Sequence, residues 1–373
     1  MEYALRLLLP SLFCLVATAA AAKGTFIPPG AKPPDYAITM ATGGSFYKSG
    51  SQIVVHHGDW TKVAINADSP NVTYYHEDAR ISVNGSSLVV IRGPEFEELI
   101  EYAPRNIGER QIHLGESCTV WEVSRSRPSS ISRDSGTIAL SCVTDDGIEL
   151  SQKLLGPSKD VIFSAEATRI ERRPVSPEEV QPPASAFALD WPGRDTLPPI
   201  PPEKPDHEVV MQEALPPEKL GAIRIVRRHG PWQFTEETAG KLRTIRVISD
   251  HARTWFEYAS DASGAPKRLI INRYTPPPEE QAQVRALRPQ PKRDGGTDTV
   301  LGETCSWFNM TPEIFDNNTQ SCLTEDGISL KEQYLSRSSH RAWTAIRVVR
   351  RPIAIDEIKL APELLSPQLW GVE

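Results

Sequence analysis

The sequence predicts a mainly β protein with minor α content: two tandem homologous domains, each a curved antiparallel sheet or half-barrel with its own disulfide. Three observations predict it. The chain matches itself at an offset near 175 residues. Short β-branched and aromatic runs alternate with Asn-Gly and Asp-Gly turns. Four of the five cysteines fall as one pair in each copy.

Composition sets the frame. A chain of 373 residues is long enough for two domains or one large one. Its 33 prolines are about twice the average usage, yet 39% hydrophobic residues suffice for real cores. A net charge of −7 argues against nucleic acid as a partner, which calls for a basic patch or stripe. After residue 22 no apolar run reaches the length of a membrane helix.

Residues 1–22 read as a secretory signal. Arg6 marks the n-region, Leu7 to Val16 the apolar run, and Ala20-Ala21-Ala22 the small-residue end. The expected location is therefore exported, periplasmic or secreted. Its removal takes Glu2, Arg6 and Cys14, leaving the charge unchanged and an even set of Cys118, Cys142, Cys305 and Cys322. An even set in an exported chain points to disulfides.

The self-match runs through the rest. Gly115-Glu-Ser-Cys118 returns as Gly302-Glu-Thr-Cys305, and Cys142-Val-Thr-Asp-Asp-Gly-Ile148 as Cys322-Leu-Thr-Glu-Asp-Gly-Ile328. Arg169, Arg172 and Arg173 return as Arg347, Arg350 and Arg351; Arg92 as Arg273; His57-Gly-Asp-Trp60 as His229-Gly-Pro-Trp232. The order is kept while offsets drift between 171 and 187. The first repeat is placed at 23–193, the end of a proline-rich junction at 194–197, and the second repeat at 198–373. From Pro174 to Pro217 the chain holds 12 prolines, the composition of a semi-rigid spacer.

Inside a repeat, Ile53-Val-Val55, Lys62 to Asn66 and Thr73-Tyr-Tyr75 are short strands, and Asn84-Gly85 turns a hairpin. The Asp146-Gly147 and Asp326-Gly327 turns make a second hairpin in each copy. Seven to nine strands per domain are expected, in a meander with a helix or loop over it. Helical patterning favours Glu95–Tyr102, Glu208–Leu215 and Glu279–Leu287. Four cysteines allow three connectivities, and duplication selects Cys118–Cys142 and Cys305–Cys322. Each bridge adds about 3 kcal/mol in the chain-entropy account. The alternative, a metal site, needs all four at one place.

Chemistry is sparse. No nucleophile elbow, phosphate loop, zinc-protease motif or dinucleotide fingerprint occurs, so no cofactor and no enzymatic activity are expected. His56, His57 and His76 form the best metal candidate, against a strand end with His57 packed on its neighbouring tryptophan. Trp60 and Trp232 are either core or the wall of an apolar cavity. Arg92, Arg169, Arg173, Arg273, Arg347 and Arg351 are the candidate ligand-binding cations, suited to a phosphate or carboxylate headgroup. The alternative is a solvated rim paired with Glu116, Asp146 and their copies.

The Gly115-Glu-Ser-Cys118 and Cys142-Val-Thr-Asp-Asp-Gly-Ile148 motifs, with their second copies, resemble uncharacterised periplasmic domains grouped with the lipoprotein-carrier (Lol-type) half-β-barrel fold. That resemblance covers about half of each repeat. It implies a curved sheet with an apolar inner face that takes an acyl chain, a lipid or a lipidated envelope protein. The expected function is a non-enzymatic envelope protein holding a lipid-like or other apolar ligand. The alternative is a protein–protein interaction or envelope-stress scaffold with packed cores and no ligand cavity.

Overall fold

A computed structural model describes residues 25–45, 49–66, 69–76, 79–85, 87–93, 104–125, 137–189, 204–214, 221–249, 254–273, 292–310, 318–335 and 340–372. The signal segment 1–22, the helical candidates 95–102 and 279–287 and the junction 194–197 lie outside them. The chain divides into two compact units. The first runs to Ala186 and also takes in the chain from Trp370 onward; the second is Phe187–Leu369.

In the first unit the described strands are β1 (Tyr36–Gly43), β2 (Gly50–His57), β3 (Trp60–Ile65), β4 (Asn71–His76), β5 (Ala79–Asn84), β6 (Ser87–Arg92), β7 (Arg105–His113), β8 (Glu116–Arg125), β9 (Ile138–Thr144), β10 (Glu149–Leu155) and β11 (Val161–Arg172). Each half is an antiparallel meander, β1 to β6 and β7 to β11. The halves join where β1 pairs with β11, Tyr36 opposite Arg172.

The second unit repeats this order with β12 (His207–Glu213), β13 (Ile223–His229), β14 (Trp232–Ala239), β15 (Leu242–Ser249), β16 (Thr254–Ser260), β17 (Pro266–Asn272), β18 (Lys292–Val300), β19 (Glu303–Asn309), β20 (Asn318–Leu323), β21 (Ser329–Leu335) and β22 (His340–Arg350). Here β12 and β22 make the join, His207 opposite Arg350. The fold class is thus mainly β and antiparallel, in two tandem domains.

Two details differ from the sequence expectation. Glu208–Leu215 is not a helix: Glu208 to Glu213 belong to β12, bonded on both sides to β13 and β22. Val209 and Met211 bury one face (2% and 1% exposed), as Ile38 and Met40 do in β1. Two ladders and a core face outweigh the weak helical preference of Glu208, Gln212 and Glu213. Each unit also has eleven described strands rather than seven to nine. The uncounted strands include β7 and β18, polar and exposed along most of their length, with no alternation to read.

Both disulfides form inside their own unit: Cys118–Cys142 ties β8 to β9, and Cys305–Cys322 ties β19 to β20. Each lies at the centre of its core, the first among Ile38, Val120 and Leu150, the second among Met211, Ile328 and Leu330. A single helical turn, α1 (Pro177–Val180), buries Val180; the corresponding Ile358 follows the 3-10 turn Ile355–Glu357.

Trp370 is fully buried in the first unit, with the Arg92 guanidinium 6.0 Å over its ring. Trp370→Ala therefore removes core from the first unit, at a contact 278 residues along the chain from Arg92 in β6. The expected loss is about 3–5 kcal/mol of first-unit stability, read as a fall in amide protection of β4 to β6.

Candidate functional site

The site is built on a five-residue turn that occurs in both units. The Ile148 N–H donates to Thr144 Oγ1 at 2.9 Å and the Thr144 hydroxyl donates to Asp146 Oδ1 at 2.5 Å. Thr324, Asp326 and Ile328 repeat the bonds at 2.5 and 2.9 Å. Gly147 and Gly327 take φ of +92° and +79°, closed to ordinary side chains, which is why glycine ends this turn. The turn fixes one carboxylate at the rim of the sheet.

An arginine at the end of the last strand then reads that carboxylate together with one from another hairpin. Arg172 donates from Nη1 and Nη2 to both oxygens of Glu116, at 2.7 Å each, and from Nε to Asp146 at 3.2 Å. Arg350 does the same with Glu303 (2.9 and 2.5 Å) and Asp326 (2.7 Å). The hydrogen bond from Arg172 holds the Glu116 carboxyl below its ordinary range. Burial pushes Asp146 up, but the Thr144 hydroxyl and Arg172 outweigh it and the group ends below its ordinary range. In the second unit Arg350 lowers both Glu303 and Asp326. Three half-exposed charges in bidentate geometry make a stiffer contact than an isolated surface pair.

What the clamp holds is a hairpin tip. β7 and β8 are joined by Leu114-Gly115, His113 opposite Glu116, with φ of +53° and +80°. Leu301-Gly302 joins β18 and β19 with φ of +54° and +82°. Two left-handed residues are the pattern of a type I′ turn, which favours Asn-Gly. A leucine there costs about 1–2 kcal/mol. Both leucines point their cost outward, 50% and 55% exposed, and Ile112 beside the first is 76% exposed.

The pairing of Arg172 and Arg350 with Glu116, Asp146 and their copies is the rim the sequence offered as the alternative; the other residues it singled out fall elsewhere. Arg169 pairs with Glu171, Arg173 with Glu179 at 2.6 Å, Arg347 with Glu208 at 2.5 Å and Arg351 with Glu357 at 2.5 Å. Arg173 and Arg351 pull their partners Glu179 and Glu357 down to about 2. Arg92 sits over Trp370, and Arg273 donates to the Ala188 carbonyl. Trp60 and Trp232 are 7% and 5% exposed, core residues of their sheets.

The histidines do not converge. His56 bonds Thr61 and His57 pairs with Asp35 at 3.0 Å. His76, rather than His57, stacks on Trp60 at 4.4 Å. His229 and Asp206 repeat the His57 pair at 3.2 Å. His57 thus follows a fixed carboxylate, not its neighbouring tryptophan as expected. Among the described residues the one group of three or more whose metal-ligating atoms all lie within 4.8 Å of one another is His113, Cys118 and Cys142, and its two sulfurs are bonded to each other. The exposed leucines were missed, although Leu-Gly-Glu is present in both copies: only a backbone angle shows that the leucine is left-handed.

The sequence matches no family model and no curated protein. Among solved structures it is similar to the MucA/MucB complex of Pseudomonas aeruginosa, at 9% identity and TM-score 0.30 over 72% of this chain and 95% of that one. MucB alone gives 11% and 0.29 over 68% and 91%. PNGF-II gives 11% and 0.29 over 48% and 43%. Scores this low do not establish a shared fold, and the site is read from its own residues.

The clamp has a defined acid limit. Carboxylates lowered in the folded state stabilise it above their unfolded pKa, near 4, and that contribution is lost as pH falls through the folded values. Arg172→Met or Arg350→Met removes it, so acid unfolding followed by circular dichroism is expected to begin at higher pH in either variant than in wild type.

Proposed function

We propose that this is an exported, non-catalytic interaction module of the cell envelope, whose partner is a protein engaged through the hairpin tips at Leu114 and Leu301. The observation that carries the reading is an apolar side chain displayed twice at an unfavourable backbone angle, each time on a clamped hairpin. Folding does not call for leucine there; asparagine would serve the turn better. Backbone strain held in place by its surroundings clusters at functional sites, so an exposed apolar residue at such an angle points to contact. Export rests on the tripartite pattern of residues 1–22.

The lipid-ligand reading used Trp60 and Trp232 as cavity walls and the duplicated arginines as headgroup ligands. Those tryptophans lie in the core, and Arg169, Arg173, Arg347 and Arg351 already face carboxylates. That leaves the interaction reading with the better-placed residues.

The test is the pair Leu114→Asn and Leu301→Asn in the full mature chain. Each is expected to keep or raise stability, by roughly 1 kcal/mol. A photo-crosslinking residue at 114 or at 301 is expected to give a discrete protein adduct in the host envelope, absent when the same residue replaces Ala262. Adduct formation at 114 and 301 no greater than at 262 would rule the reading out.

A further inference from the structure

The first unit carries a buried carboxylate that the second does not. Glu149, on β10, is 3% exposed, and the matching position after the second Asp-Gly-Ile turn is Ser329. Its Oε2 accepts a long bond, 3.4 Å, from the Phe26 N–H, while Oε1 has no hydrogen-bond partner among the described residues. Ser141 on β9 is the neighbouring hydroxyl.

Residues 25–34 lie over this carboxylate. Thr25 is 4% exposed, and the Phe26 ring lies 5.5 Å from the Trp121 ring. Phe26 and Trp121 pack with Ile162 and Phe163 on Val123 and Leu154. Further along, the segment turns at Pro28–Ala31, with Gly30 at φ +82°, and rests on the Asp146–Gly147 turn. A side chain at Gly147 would meet Ala31 Cβ at 3.2 Å. Pro28, Pro29, Pro33 and Pro34 have no N–H to give, so this segment holds on by packing rather than by a ladder.

We propose that residues 25–34 are a displaceable strap over an apolar face of the first unit, and that Glu149 is its latch, closed when protonated and released when ionised. An ionised Glu149 beneath the strap is a buried charge with only a long backbone bond from Phe26 and the neighbouring Ser141 hydroxyl to hold it, and lifting the strap lets water reach it. Burial pushes the group up to about 7, with Ser141 and the Phe26 N–H opposing.

The other charges around it do not compete. Tyr36 on β1 stays neutral, its pKa raised by burial, and His56, stacked on it from β2, is held neutral by burial. Asp146 is held by Thr144 and Arg172, Asp145 faces Arg110, and Glu122 on β8 is paired with Arg105. On the strap side Asp35 is paired with His57, and Lys32 is exposed.

The sign follows from the raised folded value. Closure is fully stable below pH 4.5 and weakens as pH rises through 7. Between pH 5 and pH 8 the opening constant is expected to rise roughly seventyfold. This reading is independent of the hairpin tips.

Hydrogen exchange of the Phe26–Lys32 amides in the intact mature protein, corrected for intrinsic rates, measures it. Wild type is expected to lose protection by that factor from pH 5 to pH 8. Glu149→Gln is expected to stay protected throughout, and Phe26→Ala to exchange rapidly at both pH values. Should glutamine disturb the fold by circular dichroism, Glu149→Ser, the residue of the second repeat, takes its place with the same expectation. Protection independent of pH in wild type, or a pH-dependent loss that persists in the neutral variants, would overturn the proposal.

Discussion

An arginine at the end of the last strand, facing carboxylates from two separate hairpins, is the contact on which the rim of each unit depends. Arg172 reaches Glu116 at the start of β8 and Asp146 in the β9–β10 turn. Arg350 does the same in the second unit. Each arginine therefore adds a side-chain tie between three strand ends, beyond what the backbone ladders supply. The disulfide inside the core ties two of the same elements covalently, β8 to β9 and β19 to β20. Covalent bond and ion cluster work at different depths on the same hairpins, and both act on β8 and β19, which carry the Leu114 and Leu301 tips.

Much of this frame was legible in the sequence, because duplication repeats the motifs that matter. Thr-x-Asp-Gly-Ile reads as a turn for a local reason, the threonine and aspartate bonding their own backbone, and the structure has that turn twice. The cysteine pairs are legible for the same reason. The arginines were legible as a cluster, and Glu116 and Asp146 as candidate partners, but not which arginine takes which carboxylate: Arg169 takes Glu171 on its own strand, while Arg347 takes Glu208 from a strand far away in sequence. β12 was misread because its glutamates and glutamine favour a helix in isolation, and only the flanking ladders make it a strand. β7 and β18 carry no alternation at all. The left-handed leucines needed a backbone angle, which composition does not encode.

The two units share a frame and differ on what they cover. Where the first has Phe163, packed near Trp121 and Phe26, the second has Arg341, bonded to Glu213 and Glu237 with Arg224 and Arg341 both against the Trp343 ring. Where the first buries Glu149, the second has Ser329. One surface is apolar and strapped, the other is a network of paired charges on an aromatic ring. A duplicated scaffold with different dressings fits a module whose halves meet different surroundings.

The central claim is that clamp and disulfide hold the leucine tips rigid. Backbone order parameters for Leu114, Gly115, Leu301 and Gly302, in wild type and in the Arg172→Met and Arg350→Met variants, address it most directly. The account predicts values of about 0.85 at all four positions in wild type, falling below about 0.6 at the tip whose arginine is removed. Tips already below about 0.6 with both clamps intact would contradict it.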